Sequence, residues 1–263
     1  MAGAIIAGLG TPEVVLDGPI RVTNRSAAAA ARYKELEYVR ASATELDAEA
    51  NRLAAAASRL VVIAVKPGMV AELLDEIAPA LQPGTVVVSV AAGVTTARME
   101  QHLPDSVSVV RTMPNTPAQV GHGVTGVVAG SRASEADIAL VEALFQTVGA
   151  TIRLDESAID ALGTISGSGP AYVFYLIEQL EYAACALGFS AEQAALMVRE
   201  TFLGSLLLLA SSGDTPQELR RRVTSPNGTT ERAIAAFDAA DIAGTFRNAT
   251  EAALARSREL AAG

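Results

Sequence analysis

At 263 residues the chain is long enough for one or two domains, and its formal net charge of -9 argues against nucleic acid or an anionic membrane surface as the main partner, since both need a Lys/Arg surplus on one face. Small anionic ligands remain open, because a local site needs only a few donors. The one cysteine, Cys185, excludes an internal disulfide framework and fits a reducing compartment, where the residue reads as buried helix filler.

The chain opens on MAGAIIAGLG, a run of small and apolar residues with no polar cap before it, which reads as a helix already under way. From there to about residue 153, short β-branched runs alternate with alanine-rich helical stretches. Strands are predicted at 19–24 (PIRVTN), 38–42 (YVRAS), 59–65 (RLVVIAV), 85–90 (TVVVSV), 106–111 (SVSVVR) and 124–130 (VTGVVAG), with helices at 26–36, 45–57, 69–80 and 134–148. Strands apolar on both faces and separated by helices imply βαβ crossovers and a largely parallel sheet covered on both sides. After residue 155 the strand pattern stops, and two long apolar helices, 168–188 and 190–212, are followed by shorter ones near 215–222, 229–240 and 242–260. Helices this apolar need more cover than a small helical layer supplies, so a partner subunit is expected, in a homodimer or a higher oligomer. The longest apolar runs, LVVIAV at 60–65 and LLLLA at 206–210, fall short of the ~20 residues of a membrane span. No basic segment precedes the opening stretch, Arg21 being the first cation. The expectation is a cytoplasmic α/β protein with neither membrane nor nucleic acid as partner. A Rossmann-like, doubly wound domain spans residues 1–153, and an all-α dimerisation and substrate domain spans 154–263.

A doubly wound fold begins with a strand and a glycine-rich turn that holds the pyrophosphate of a dinucleotide. Here that first strand and its G-x-G are absent, and MAGAII stands as the start of the helix after the turn. In the usual order the missing strand lies between those ending at Asn24 and Val65, so these two are expected about 9–10 Å apart unless the sheet closes up. The chain is accordingly expected to hold its dinucleotide weakly, and a version extended upstream by roughly ten residues to hold it better. The strand at 19–24 runs into TNRS instead of ending on an acid. An acid would bind a ribose 2′-hydroxyl and repel a 2′-phosphate, whereas Asn24, Arg25 and Ser26 offer donors to it. This favours NADPH over NADH; the alternative for the same residues is an ordinary polar turn. ELRRRV at 218–223 fits a solvated or intersubunit face better than a phosphate site, and His102, His122 and Cys185 form no metal site.

Five further motifs are AVKP (64–67), SVAAGV (89–94), RTMPNTP (111–117), SGSGPAYVF (166–174) and VTSPNGTT (223–230). The first three each follow a predicted strand, where ligands of open α/β sheets sit. SGSGPAY reads as a loop into a helix, with Ser168 or Gly169 at the cap and Pro170 in the first turn. TSPNGTT leads into a helix beginning near Thr229. Ser225, Asn227, Gly228, Thr229 and Thr230 therefore frame free amides and a helix dipole that favour an anion.

In this order and spacing the motifs closely resemble the pyrroline-5-carboxylate reductase family from Met1 to about Leu260, with SGSGPAY and TSPxGTT the most specific. The family's G-x-G-x-M-G/A turn would place its Met and small residue on Met1 and Ala2. The resemblance implies NADPH-dependent reduction of L-1-pyrroline-5-carboxylate to L-proline, the last step of proline synthesis. It implies that Ala64, Val65, Lys66 and Pro67 line the adenosine and pyrophosphate side and that Asn51 reaches the adenine-ribose region. It places Ala91, Ala92, Gly93, Met113, Pro114 and Asn115 around the nicotinamide. Thr230 is implied beside the ring nitrogen as the catalytic residue; its pKa makes it a poor general acid, so it orients and hydrogen-bonds the imine. The family carries Gly where this chain has Asn227, the non-glycine residue most tolerant of the left-handed region, and the turn is expected to survive. Two alternatives stay open: a reductase of another cyclic imine, and a catalytically silent dimer that lacks its cofactor loop.

Overall fold

A computed structural model describes residues 1–262; Gly263, the last residue of the expected helical domain, lies outside them. The chain forms two compact units, one of Met1–Gly167 with the C-terminal stretch from Arg256, the other of Ser168–Ala255.

In the first unit the order is α1 (Ala2–Leu9), β1 (Ile20–Asn24), α2 (Ala27–Ala30), β2 (Val39–Ala43), α3 (Ala50–Ala56), β3 (Leu60–Ile63), α4 (Val70–Ile77), β4 (Val86–Ser89), α5 (Thr96–Glu100), β5 (Ser108–Pro114), β6 (Gly123–Ala129), α6 (Glu135–Gln146), β7 (Gly149–Arg153) and α7 (Ile159–Leu162). β3, β4 and β5 are parallel, β6 returns antiparallel to β5, and β7 lies parallel to β6. β1 and β2 pair in parallel as a separate sheet. β3 makes no ladder with β1 among the described residues, so the sheet divides at the place where a gap is expected.

β-branched side chains alternate across the central strands and build two cores. Val86, Val88 and Val110 pack with Ile5 of α1 and with Val141, Leu144 and Phe145 of α6, while Ile63, Val87 and Val109 pack with Leu74 and Ile77 of α4 and Met99 of α5. Each fully buried side chain of this size contributes about 1.5–3 kcal/mol. α6 starts on a reciprocal capping box between Ser134 and Asp137, a device that adds roughly 1 kcal/mol. Burial raises the Asp137 carboxyl, but hydrogen bonds from Ser134 and Ser108 outweigh it and hold the group below the usual carboxylate range. Gly8 lets α1 close on the end of α6, since a Cβ there would stand 2.6 Å from Thr147 Oγ1 and Val148 Cγ1.

The second unit holds α8 (Gly169–Ala186), α9 (Ala191–Ser212), α10 (Pro216–Arg222), α11 (Thr229–Ala239) and α12 (Ile242–Ala262, which runs on into the C-terminal stretch). Capping boxes Ser190–Gln193 and Thr215–Glu218 start α9 and α10. α8 and α9 bury Ala184, Ala194 and Val198 and leave most of their large apolar side chains open. α9 is long and apolar enough by length and composition to cross a membrane, its most apolar 18 residues having mean hydropathy 1.5; uninterrupted runs understate it because Arg199 and Glu200 break them.

Four expectations need correction. Cys185 is exposed, because it shares α8 with that open apolar surface. Ser168 stands at the N-cap of α8 with Pro170 in the first turn, as expected, but its side chain makes no capping bond: the chain arrives through a π-helical turn, Gly163–Gly167, so Ser168 is already helical. The expected helices at 26–36 and 45–57 shorten to α2 and α3. α5 and β7 were not expected as elements.

Candidate active site

The parallel register sets Ile63 beside Ser89 and Ser89 beside Arg111, so the segments following β3 and β4 emerge at one edge, with the end of β5 running past them. Ala64–Pro67, Val90–Gly93 and Met113–Asn115 therefore share the edge at which open α/β sheets bind ligands. Ala64, Lys66, Pro67, Ala92 and Gly93 are exposed, Val65 is half-buried and Ala91 is buried. Gly93 has φ +76°, and a Cβ there would meet nothing within 4 Å. Its glycine is required by conformation, and the space above it is open.

The TNRS turn meets this edge: Arg25 Nη2 lies 3.9 Å from Met69 Sδ in the loop after β3. Arg25 forms no ion pair among the described residues, and Asn24 Nδ2 is buried without a partner. Ser26 Oγ accepts from Ala29 N–H at 3.3 Å and caps α2, which leaves its own hydroxyl hydrogen to donate. An orphaned buried amide, an uncompensated guanidinium and open backbone at Gly68 and Gly93 fit a phosphorylated dinucleotide, and Asn24, Arg25, Ser26 and Lys66 are the groups that would hold it. Asn51 donates Nδ2 to both carboxylate oxygens of Glu76 at 3.1 Å, so what it can offer elsewhere is mainly its carbonyl oxygen.

RTMPN meets Ser166 and Gly167, the first half of SGSG, within the first unit. Asn115 donates Nδ2 to Ser166 O at 2.9 Å and accepts at Oδ1 from Val124 N–H at 2.8 Å, which clamps β6 and the π-helical turn to the end of β5. Met113 Cε lies 3.4 Å and 3.5 Å from where a Cβ on Gly163 and Gly167 would stand. Beneath these residues runs an ionic network. Arg111, 4% exposed, donates to Glu156 at 2.5 Å and to Asp160 at 3.3 Å, while Thr96 donates to Glu156 through Oγ1 and its backbone amide. Burial raises the Glu156 carboxyl, but the bonds from Thr96 and Arg111 outweigh it and hold the group below its ordinary range. A lone Arg inside SVVRTMP, followed by Glu156 and Asp160 one helical turn apart, was the signal that could have exposed this network.

In the second unit Gly228 N–H donates to Ser225 O at 3.0 Å, closing a turn with Pro226 and Asn227 at its centre. Asn227 has φ +59°, so it adopts the left-handed conformation expected of it. Gly228 caps α11, and no side chain satisfies the cap. The amides of Thr229, Thr230 and Glu231 donate to no group among the described residues. Glu231, which the sequence did not single out, folds back so that Oε2 accepts from Asn227 N–H at 2.8 Å and braces the turn. Arg222 is held by Asp214 at 2.5 Å and 2.9 Å and takes no part in the turn.

Residues 156–260 match the family described as pyrroline-5-carboxylate reductase dimerisation, and residues 1–93 match NADP oxidoreductase coenzyme F420-dependent. The chain is 43% identical over 214 residues to a pyrroline-5-carboxylate reductase of Pseudomonas aeruginosa, covering 81% of this chain and 78% of the relative. It is 37% identical over 244 residues to that of Corynebacterium melassecola, covering 92% and 88%. Among solved structures, a pyrroline-5-carboxylate reductase from Coxiella burnetii superposes with TM-score 0.91 at 35% identity, covering 98% of this chain and 94% of that one. The Plasmodium falciparum pyrroline carboxylate reductase with NADP bound superposes at 0.81 with 25% identity, covering 98% and 94%.

Proposed function

This chain belongs to the pyrroline-5-carboxylate reductase family, and we infer from that premise that it reduces L-1-pyrroline-5-carboxylate to L-proline with NADPH. The bound dinucleotide supplies the hydride, which the imine carbon takes while the ring nitrogen takes one proton. The chain's own residues bind and orient. Arg25, Asn24 and Ser26 take the 2′-phosphate, Asn51 and Ala64–Pro67 line the adenosine and pyrophosphate side, and Ala91–Gly93 with Met113, Pro114 and Asn115 frame the nicotinamide.

The observation that carries the substrate assignment is the left-handed turn at Asn227 with the uncapped amides of Thr229 and Thr230 behind it. These donors suit a carboxylate, and they leave the Thr230 hydroxyl to hydrogen-bond the ring nitrogen. A threonine hydroxyl is too weak an acid to give up its proton here, so the proton arrives on an already protonated imine or from water. The dimerisation match and the open apolar faces of α8 and α9 support a homodimer, and a cytoplasmic location accords with the single free thiol.

Thr230→Ala is expected to lower kcat for pyrroline-5-carboxylate by about 10- to 100-fold, because it removes an orienting hydrogen bond and leaves NADPH binding alone. Steady-state kinetics and a cofactor titration on both proteins test this. A variant that turns over at the parent rate would remove Thr230 from the mechanism.

A further inference from the structure

The turn that carries cofactor selectivity holds an acid that TNRS itself does not show. Past the end of β2 the chain keeps pairing with β1: Thr44 N–H donates to Asn24 O at 2.8 Å and Glu45 N–H to Arg25 O at 3.1 Å. This extension sets Glu45 opposite Arg25 and Ser26. Its Oε1 accepts from Ala27 N–H at 2.6 Å, so the carboxylate stands inside the same turn as the three donors. That amide is the carboxylate's one hydrogen-bond donor among the described residues. Glu45 forms no ion pair among the described residues, and the Arg25 guanidinium reaches toward Met69 Sδ instead.

A guanidinium and a carboxylate in one turn, unpaired with each other, act in opposite directions on a ribose 2′-substituent. Arg25 attracts a 2′-phosphate; the carboxylate repels it and accepts a hydrogen bond from a free 2′-hydroxyl. Resting on the NADPH reading above, we propose that Glu45 is a specificity-determining residue that restrains the preference for NADPH set by Arg25 and keeps NADH usable. No sequence spacing links Glu45 to TNRS, because its register opposite Arg25 arises only from the pairing of β1 with β2.

Calorimetric titration of the full-length protein with adenosine 2′,5′-bisphosphate and with adenosine 5′-monophosphate separates this role from simple capping of α2. Glu45→Gln keeps an acceptor for Ala27 and removes the charge. It is expected to bind the bisphosphate about fivefold more tightly, with the monophosphate within about twofold of the parent. Glu45→Asp keeps the charge and is expected to show no such gain. Arg25→Ala is expected to weaken the bisphosphate selectively. If Glu45→Gln binds the bisphosphate no more tightly, or tightens both ligands equally, Glu45 only caps α2 and the proposal is overturned while the cofactor reading stands. If Arg25→Ala binds the bisphosphate like the parent, or the parent binds neither ligand, the cofactor reading of this turn fails and the proposal with it.

Discussion

In the α/β unit Leu74, Met99, Val87 and Phe145 are sealed from water, whereas in the helical unit Phe174 stands 67% exposed and Leu206, Leu207 and Leu208 are each more than half exposed. A sheet with helices on both faces closes its core within one chain. α8 and α9 are apolar around too much of their circumference for five helices to hide, and soluble monomers rarely leave such a surface open. The first unit therefore closes its own core, and the open apolar face of the second is the surface that the proposed homodimer would cover. The proposed function divides along the same line, since the residues proposed to hold the cofactor lie in the first unit and the turn proposed to hold the substrate lies in the second.

The largest expected effect comes from breaking the open face. Leu207→Glu puts a charge into the proposed interface, where an unpaired buried charge costs several kcal/mol. Sedimentation is expected to show the parent as a dimer at micromolar concentration and the variant dissociated, with turnover reduced about 100-fold or more. A variant that stays dimeric and active would break the comparison. A strong effect of the opposite kind is expected from Phe145→Ala, which opens a cavity in the self-contained core at a cost of about 3–5 kcal/mol. Its melting transition should fall sharply while the dimer persists at low temperature; loss of the dimer without loss of stability would contradict it.

A smaller effect sharpens the same contrast through pH. Hydrogen bonds from Thr96 and Arg111 hold the Glu156 carboxyl below its ordinary value of 4.5, against the effect of burial. A group whose folded pKa is depressed stabilises the fold above its unfolded pKa, and that contribution is lost as pH falls through the folded value. Glu156→Gln is expected to cost about 1–2 kcal/mol at neutral pH, allowing for the partial exposure of Glu156, and less in acid. Thermal melts of both proteins across the acidic range check this; an equal deficit at every pH would show that the carboxylate charge is irrelevant.

Much of the architecture was legible because its causes are local. The valine runs of β3 and β4 and the serine and threonine caps of α9 and α10 declare themselves within a few residues. β7 was missed because GATIR is short and largely exposed and begins at Gly149, whose φ of +147° brings it against Gly123, where a Cβ would stand 2.0 Å from the Gly123 carbonyl oxygen. α5 is too short for a period to show. In the site, TNRS and TSPNGTT were readable as turns from their own residues. Glu45 at the turn, Glu76 on Asn51, Ser166 on Asn115 and Glu156 on Arg111 were not, because each pair is joined by folding and not by spacing.

The central claim is that this chain catalyses hydride transfer to a cyclic imine carboxylate. The most direct test supplies NADPH and L-1-pyrroline-5-carboxylate to the purified dimer, then quantifies cofactor oxidised and amino acid formed. The expected result is one L-proline per NADPH consumed, with Thr230→Ala slower under the same conditions. NADPH that binds without being oxidised, or oxidation that yields no proline, would contradict the account.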